Sequence, residues 1–229
     1  MKEKYISESG FYDISSYKET NLIVGKNTHV IFFDSTDNVK KIVLEQGSQL
    51  EYFSLFSVTG DYSKHIITQG EKSKSDIHSF ILAGPEENIT AKVVGEVGSN
   101  NSKIDTDIVS IVETDGKVDL DGIIQINENL EKTEGYLDEI NIFLGERGSI
   151  RGFPTLLVRS NDVQAGHSCK IEKISDEKLF YLRSRGMKKE DALYMMLVSY
   201  IESIFGKLEK YEKDFHDLLI TEIMKKIRL

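Results

Sequence analysis

The chain has 229 residues, a single cysteine, no tryptophan and a formal net charge of −9. That length holds one large or two small domains, and 39% hydrophobic against 29% charged residues suits a folded protein, because the apolar residues fall in periodic runs. Residues 1–174 carry the acidity, with 18 Lys/Arg against 28 Asp/Glu, which argues against nucleic acid as the main partner.

One cysteine cannot form an intrachain disulfide. The N-terminal MKEKYISESG has no apolar core of a secretory signal, and no stretch approaches the roughly 20 apolar residues of a membrane span. Together these features predict a cytoplasmic protein with no membrane segment.

Residues 1–20 are polar and give no clear pattern. From Asn21 a series of short β-rich runs begins: NLIV, THVIFF, VKKIVL, QLEYFSLFSV, SKHIIT, DIHSFIL, NITAKVVGEV, IDTDIVSIVE and VDLDGIIQIN. Turn signals such as Gly47-Ser48, Thr59-Gly60-Asp61, Gly98-Ser99-Asn100-Asn101 and Asp115-Gly116 separate them. Val118 and Leu120 alternate with polar residues, as do Ile124 and Ile126 after what reads as a break at Gly122. No helical periodicity intervenes before Ser175, so βαβ units are not expected. A sandwich, a barrel and a β-solenoid stay open, and the lack of a strict numerical repeat favours the sandwich on pattern alone. Pro85 and Pro154 fall at turns or strand edges, where a ladder tolerates them.

The remainder reads as helix. Ser175 is a good N-cap, with Asp176 and Glu177 in the first turn, and Gly186 suits the position just past the helix end. A second helix is predicted from about Lys188 to Phe205, with Ala192, Met195, Met196, Ser199 and Ile204 on one face and a break or bend at Gly206. A third segment, Lys207 to Leu229, places Leu208, Tyr211, Phe215, Leu218, Leu219, Ile223 and Ile227 on one stripe. Lys225, Lys226 and Arg228 close it at the favourable end. The predicted division is a β region over 1–174 and a helical region over 175–229.

The junction, VQAGHSCKIEKISDEKLFYLRSRG from Val163 to Gly186, holds the chemistry. His167 and Cys169 alternate along a strand-like run, so both point to one face. A thiol beside an imidazole suits a soft metal or an iron–sulfur species. By residue type alone, His167 reads as a satisfied core or interface histidine before it reads as a ligand. Cys169 reads as a small buried hydrophobe before a ligand. His29, His65, His78 and His216 lack ligand spacing and read as structural or surface residues. Glu86-Glu87 and Asp119/Asp121 read as solvated charges. Phosphate-binding GxxxxGK[ST], GxGxxG and the G-x-S-x-G elbow do not occur.

Four features of this junction resemble the signature of the SufB/SufD family, the scaffold proteins of SUF iron–sulfur cluster assembly. They are the valine-led strand carrying His167, its spacing to Leu179-Phe180-Tyr181, the Leu182-Arg183-Ser184-Arg185-Gly186 run, and Glu190-Asp191-Ala192 near a helix start. The resemblance extends from about Gly116 to about Phe205. It implies a right-handed parallel β-helix followed by a C-terminal helical domain, in place of the sandwich. It implies a non-catalytic scaffold, dimerising with itself or with a SufB-like paralogue through the β-helix. A transient iron–sulfur cluster would lie at that subunit interface, with no tightly bound cofactor. His167 and Cys169 would be its candidate ligands. The helical region would dock a SufC-type ABC ATPase, with Phe180, Tyr181, Arg183 and Arg185 as candidate contacts, and Phe180 and Leu182 as anchors of the helical domain. Aligned back from Phe153-Pro154, the SufB cluster cysteine falls at about Gly148, and the acidic residue after the histidine is Ser168 here. This departure makes the chain closer to SufD or to an undivided type. Two other readings remain open: a member of the fold without cluster chemistry, and a β-helix enzyme acting on polysaccharide.

Overall fold

A computed structural model describes residues 3–174 and 176–227. The chain winds as a parallel β-solenoid whose strands fall alternately in two sheets. The first sheet runs β1 (Glu3–Ile6), β3 (Asn21–Val24), β5 (Lys40–Leu44), β7 (Gly60–Thr68), β9 (Asn88–Val97) and β11 (Lys117–Ile126), with β13 (Ser149–Gly152) and β14 (Thr155–Val158) both on β11. The second runs β2 (Gly10–Asp13), β4 (His29–Asp34), β6 (Gln49–Phe56), β8 (Lys74–Ala83), β10 (Lys103–Val112), β12 (Glu131–Phe143) and β15 (Asp162–Lys173). The sandwich favoured by pattern alone gives way to this solenoid, as the family resemblance implies.

The coils widen along the chain. Glu3 pairs with Asn21, Lys40 with Lys64, Asn88 with Lys117 and Lys117 with Ser149, so the step from coil to coil grows from 18 residues to 32. A growing step erases any fixed sequence period while the stacking is kept. Coil corners recurrently use left-handed residues with short polar side chains, among them Asn27, Asn101, Asp115 and Asn129.

Two apolar cores follow from the alternation of strand side chains. Inward residues such as Leu22, Ile42, Ile77, Ile104, Leu120 and Leu137 fill the solenoid. Outward residues of the second sheet, such as Phe33, Phe53, Phe80, Val109 and Ile142, pack against the helices. Hence β8 is buried on both faces, whereas β9, with solvent outside, alternates strictly. Inside the solenoid, the Lys64 ammonium donates to Asp34 Oδ2 (2.8 Å) and to the carbonyls of Thr36 (2.7 Å) and Asn38 (2.9 Å). The Tyr52 hydroxyl donates to the same Asp34 oxygen at 2.9 Å.

The helical region comprises α1 (Asp176–Ser184), α2 (Lys189–Phe205), a 3₁₀ turn (Gly206–Lys210) and α3 (Lys213–Lys226). The expected cap Ser175 and the closing Arg228 lie outside the described residues. Gly186 ends α1 as expected, with φ +93 and its N–H donating to Arg183 O. Gly206 does not break the chain. It keeps helical angles and tightens into the 3₁₀ turn, and the interruption comes at Glu212, at φ −145. Helical phase restarts at Lys213, so the expected single stripe is cut: Leu208, Leu219, Ile223 and Ile227 are buried but Leu218 is 60% exposed. On α2, Met195 is likewise exposed, and Leu197, Ile201 and Phe205 complete the buried face instead. Phe205 sits 6.0–6.5 Å from the rings of Phe33, Phe53 and Phe80 and seats α2 on the second sheet.

Candidate functional site

Strand β15 ends the second sheet and pairs only with β12, so its other edge is free of any described strand. Its register puts Val163, Ala165, His167 and Cys169 over Thr133, Gly135, Leu137 and Glu139. Leu137 belongs to the inner core, so His167 and Cys169 share the inward face, as their spacing predicts. Val163 and Ala165 pack against the core, but His167 and Cys169 are exposed at the mouth of the last coil. The reading of Cys169 as a buried hydrophobe is thereby overturned, because no described strand covers that half of β15.

Directly beneath Cys169 lies a residue with no part in the sequence-level reading. The side chain of Glu139 is fully buried, and neither carboxylate oxygen meets a hydrogen-bond partner among the described residues. Burial pushes its carboxyl up to about 7, against partial relief from Cys169 and Asn141, with the charge of Asp121 adding to the rise. A glycine of the first sheet, Gly122, makes room for it, and Gly152 borders it. A Cβ at Gly122 would collide with Glu139 Oε1, and one at Gly152 would stand 3.4 Å from Oε2. The apparent break at Gly122 is therefore no break. Strand β11 runs through it, and the missing side chain leaves interior space for the carboxyl. The Asn141 amide donates to Cys169 Sγ at 3.6 Å, while its oxygen accepts from Ser110. Burial pushes the Cys169 thiol up, and the Glu139 charge pushes it further.

Ser168 points to the opposite face, where its hydroxyl donates to Asp138 at 2.6 Å. That face forms a groove of about 480 Å³ lined by Asp76, Asp105, Asp107, Asp138, His78 and Lys207, with His167 and Ser168 of β15 at its side. His78 is buried there, stacked 5.0 Å from Phe53, with Nε2 accepting from Lys207.

Gly148 lies elsewhere. A Cβ there would stand 2.7 Å from Val112 and 3.5 Å from Phe143. Phe143 pairs with Lys173, four positions along β15 from Cys169, or about 13 Å at the usual strand rise. Gly148 and the β15 pair are two separate places.

Of the four candidate docking residues, Phe180 is 71% exposed and Tyr181, Arg183 and Arg185 are also exposed. The Arg185 guanidinium lies 5.4 Å from the Tyr181 ring. Phe180 is not an anchor of the helical region. Leu179 is the buried residue, packed with Ala192 and Met196, because the helical phase of α1 turns Phe180 outward; Leu182 packs partly against this cluster.

A protein-family model described as "SUF system FeS cluster assembly, SufBD core domain" matches residues 20–200. The chain is 31% identical over 91 residues to the iron–sulfur cluster assembly protein SufD of Escherichia coli, covering 40% of this chain and 22% of that protein. It is 26% identical over 190 residues to SufB of Bacillus subtilis, covering 80% of this chain and 40% of that one. With a SufBD-family assembly protein of Staphylococcus saprophyticus it shares 25% identity over 215 residues, 88% of this chain and 46% of the relative. The chain thus spans less than half the length of each of these relatives.

Proposed function

The chain belongs to the SufB/SufD family, and from that premise we propose that it is a non-catalytic, cytoplasmic scaffold on which a nascent iron–sulfur cluster is held as cargo. The observation that carries the reading is the free last strand, which presents an imidazole and a thiol on one inward face above a buried carboxyl. One chain with one cysteine cannot supply four thiolates, so the remaining ligands come from sulfide, an oxygen or nitrogen donor, or a second chain. The free edge of β15 suits strand pairing with such a chain, either another copy or a SufB-like paralogue. The exposed aromatic–basic face of α1 supplies a docking surface for a SufC-type ABC ATPase, whose nucleotide state would shift the seam. No helix among the described residues is long and apolar enough to cross a membrane.

Anaerobic reconstitution with iron and sulfide tests the scaffold role. Wild type is expected to gain iron, acid-labile sulfide and sulfide-to-iron absorbance, and His167→Ala to lose most of each. Equal cluster content in the two proteins removes His167 from the site. No cluster in wild type, with the ATPase still bound, favours the structural reading.

A further inference from the structure

We infer that Glu139 and Cys169 form an open binding site for a divalent transition-metal ion at the mouth of the solenoid, with the carboxylate and the thiolate as its ligands. The inference takes from the scaffold reading only the choice of iron as the natural metal.

A fully buried carboxyl with neither oxygen in hydrogen-bonding geometry among the described residues, though Cys169 and Asn141 stand close by, is costly, since burial of an unsatisfied polar group forfeits its hydration. Elsewhere this solenoid satisfies its buried charges: Asp34 meets Lys64, Tyr52 and Thr36. Glu139 is the exception, and the fold makes space for it at Gly122, where even a Cβ would collide with Oε1. The one thiol of the chain, Cys169, stands in register above it.

A carboxylate offers two oxygens and a thiolate one sulfur, which makes three donor atoms from two side chains. No cluster of three or more His, Cys, Asp or Glu side chains among the described residues could hold a metal ion. Three donor atoms leave the coordination sphere open, as suits a site that must accept sulfide or a partner's ligand. A dication on two anions is neutral, which removes the electrostatic objection to burying the carboxylate. Any protons held by the thiol and carboxyl leave to solvent as the metal binds. Asn141, bonded to Ser110, orients the sulfur by its contact from below.

The test uses the full chain, stripped of metal and kept anaerobic, titrated with cobalt(II) as a spectroscopic probe. Wild type should bind one equivalent and show a thiolate-to-cobalt charge-transfer band. Glu139→Gln should weaken binding by about tenfold or more, and Cys169→Ala should abolish the band. Infrared difference spectra of the wild type alone, with labelled glutamate, should show a buried carboxyl signal converting to a metal-bound carboxylate. This second measurement holds even where the Gln variant fails to fold. Undiminished cobalt affinity in folded Glu139→Gln, or an unchanged carboxyl signal, overturns the inference. Cobalt binding that needs both residues, with no cluster formed from iron and sulfide, leaves the metal site standing and removes the scaffold reading. Cluster content that needs His167, with cobalt indifferent to Glu139, does the reverse.

Discussion

Replacing Lys64 by Met tests the internal polar framework of the solenoid. The Lys64 and Asp34 side chains are both fully buried, 2.8 Å apart. Methionine keeps most of the apolar stem, so the main loss is the ammonium. Asp34 would keep Tyr52 and Thr36 as donors but lose its only countercharge at bonding distance among the described residues. The carbonyls of Thr36 and Asn38 would lose the lysine donor as well. Breaking a buried pair from one side costs about 3–5 kcal/mol, because a charge is left uncompensated. For a chain of this size each kcal/mol moves the melting temperature by about 2–4 °C, so a fall of roughly 6–20 °C is expected. Urea denaturation followed by far-UV circular dichroism at neutral pH supplies the free energy. Lys64→Met combined with Asp34→Asn should recover part of the loss, since the stranded charge is gone. A single variant within about 1 kcal/mol of wild type would refute the reasoning, for it would mean that water reaches the pair.

Three other outcomes follow from the same geometry. The Glu139 carboxyl is raised from 4.5 to about 7 by burial, so the folded chain holds a proton that the unfolded chain has released. The stabilisation is present below pH about 4.5 and is lost as pH rises through about 7, by up to about 3 kcal/mol. In metal-free protein, wild type should therefore lose stability relative to Glu139→Gln between pH 5 and pH 8 in paired urea titrations, and parallel profiles contradict this. Gly122→Ala should cost about 1–3 kcal/mol by crowding the carboxyl, and Glu139→Ala in the same chain should relieve most of it, as calorimetry can show. Phe180→Ala and Tyr181→Ala, on the exposed face of α1, should change stability by no more than about 0.5 kcal/mol while weakening capture of the cognate ABC-type ATPase. Unaltered capture removes α1 from the docking surface.

Much of the strand order was legible because half-buried strands alternate. The runs at Asn21, Asn88 and Ile104 each fall on a strand of the structure to within a residue or so. Strands β1 and β2 were not, since Tyr5, Phe11 and Tyr12 are scattered among polar residues and a four-residue strand leaves little pattern. The solenoid itself could not be read from a period, because the coils lengthen, and only the resemblance around His167 pointed to it. The shared face of His167 and Cys169 follows from strand spacing alone. The exposure of Cys169 does not, as it depends on which coil is last. Glu139 was missed as well. No strand-like run was read over 131–143, and the signals of Glu139 were only its inward parity with Leu137 and the glycine at position 122 of the facing strand. The third helix was misphased because a short 3₁₀ turn is invisible to a 3.6-residue period.

The central claim is that the inward face of β15 holds iron. Iron K-edge absorption spectra of anaerobically reconstituted wild type, Cys169→Ala and His167→Ala address it most directly. Wild type is expected to show iron bound by sulfur together with nitrogen or oxygen, with the protein-derived sulfur lost in Cys169→Ala and the imidazole scattering lost in His167→Ala. Identical spectra and identical iron content in all three proteins would contradict it.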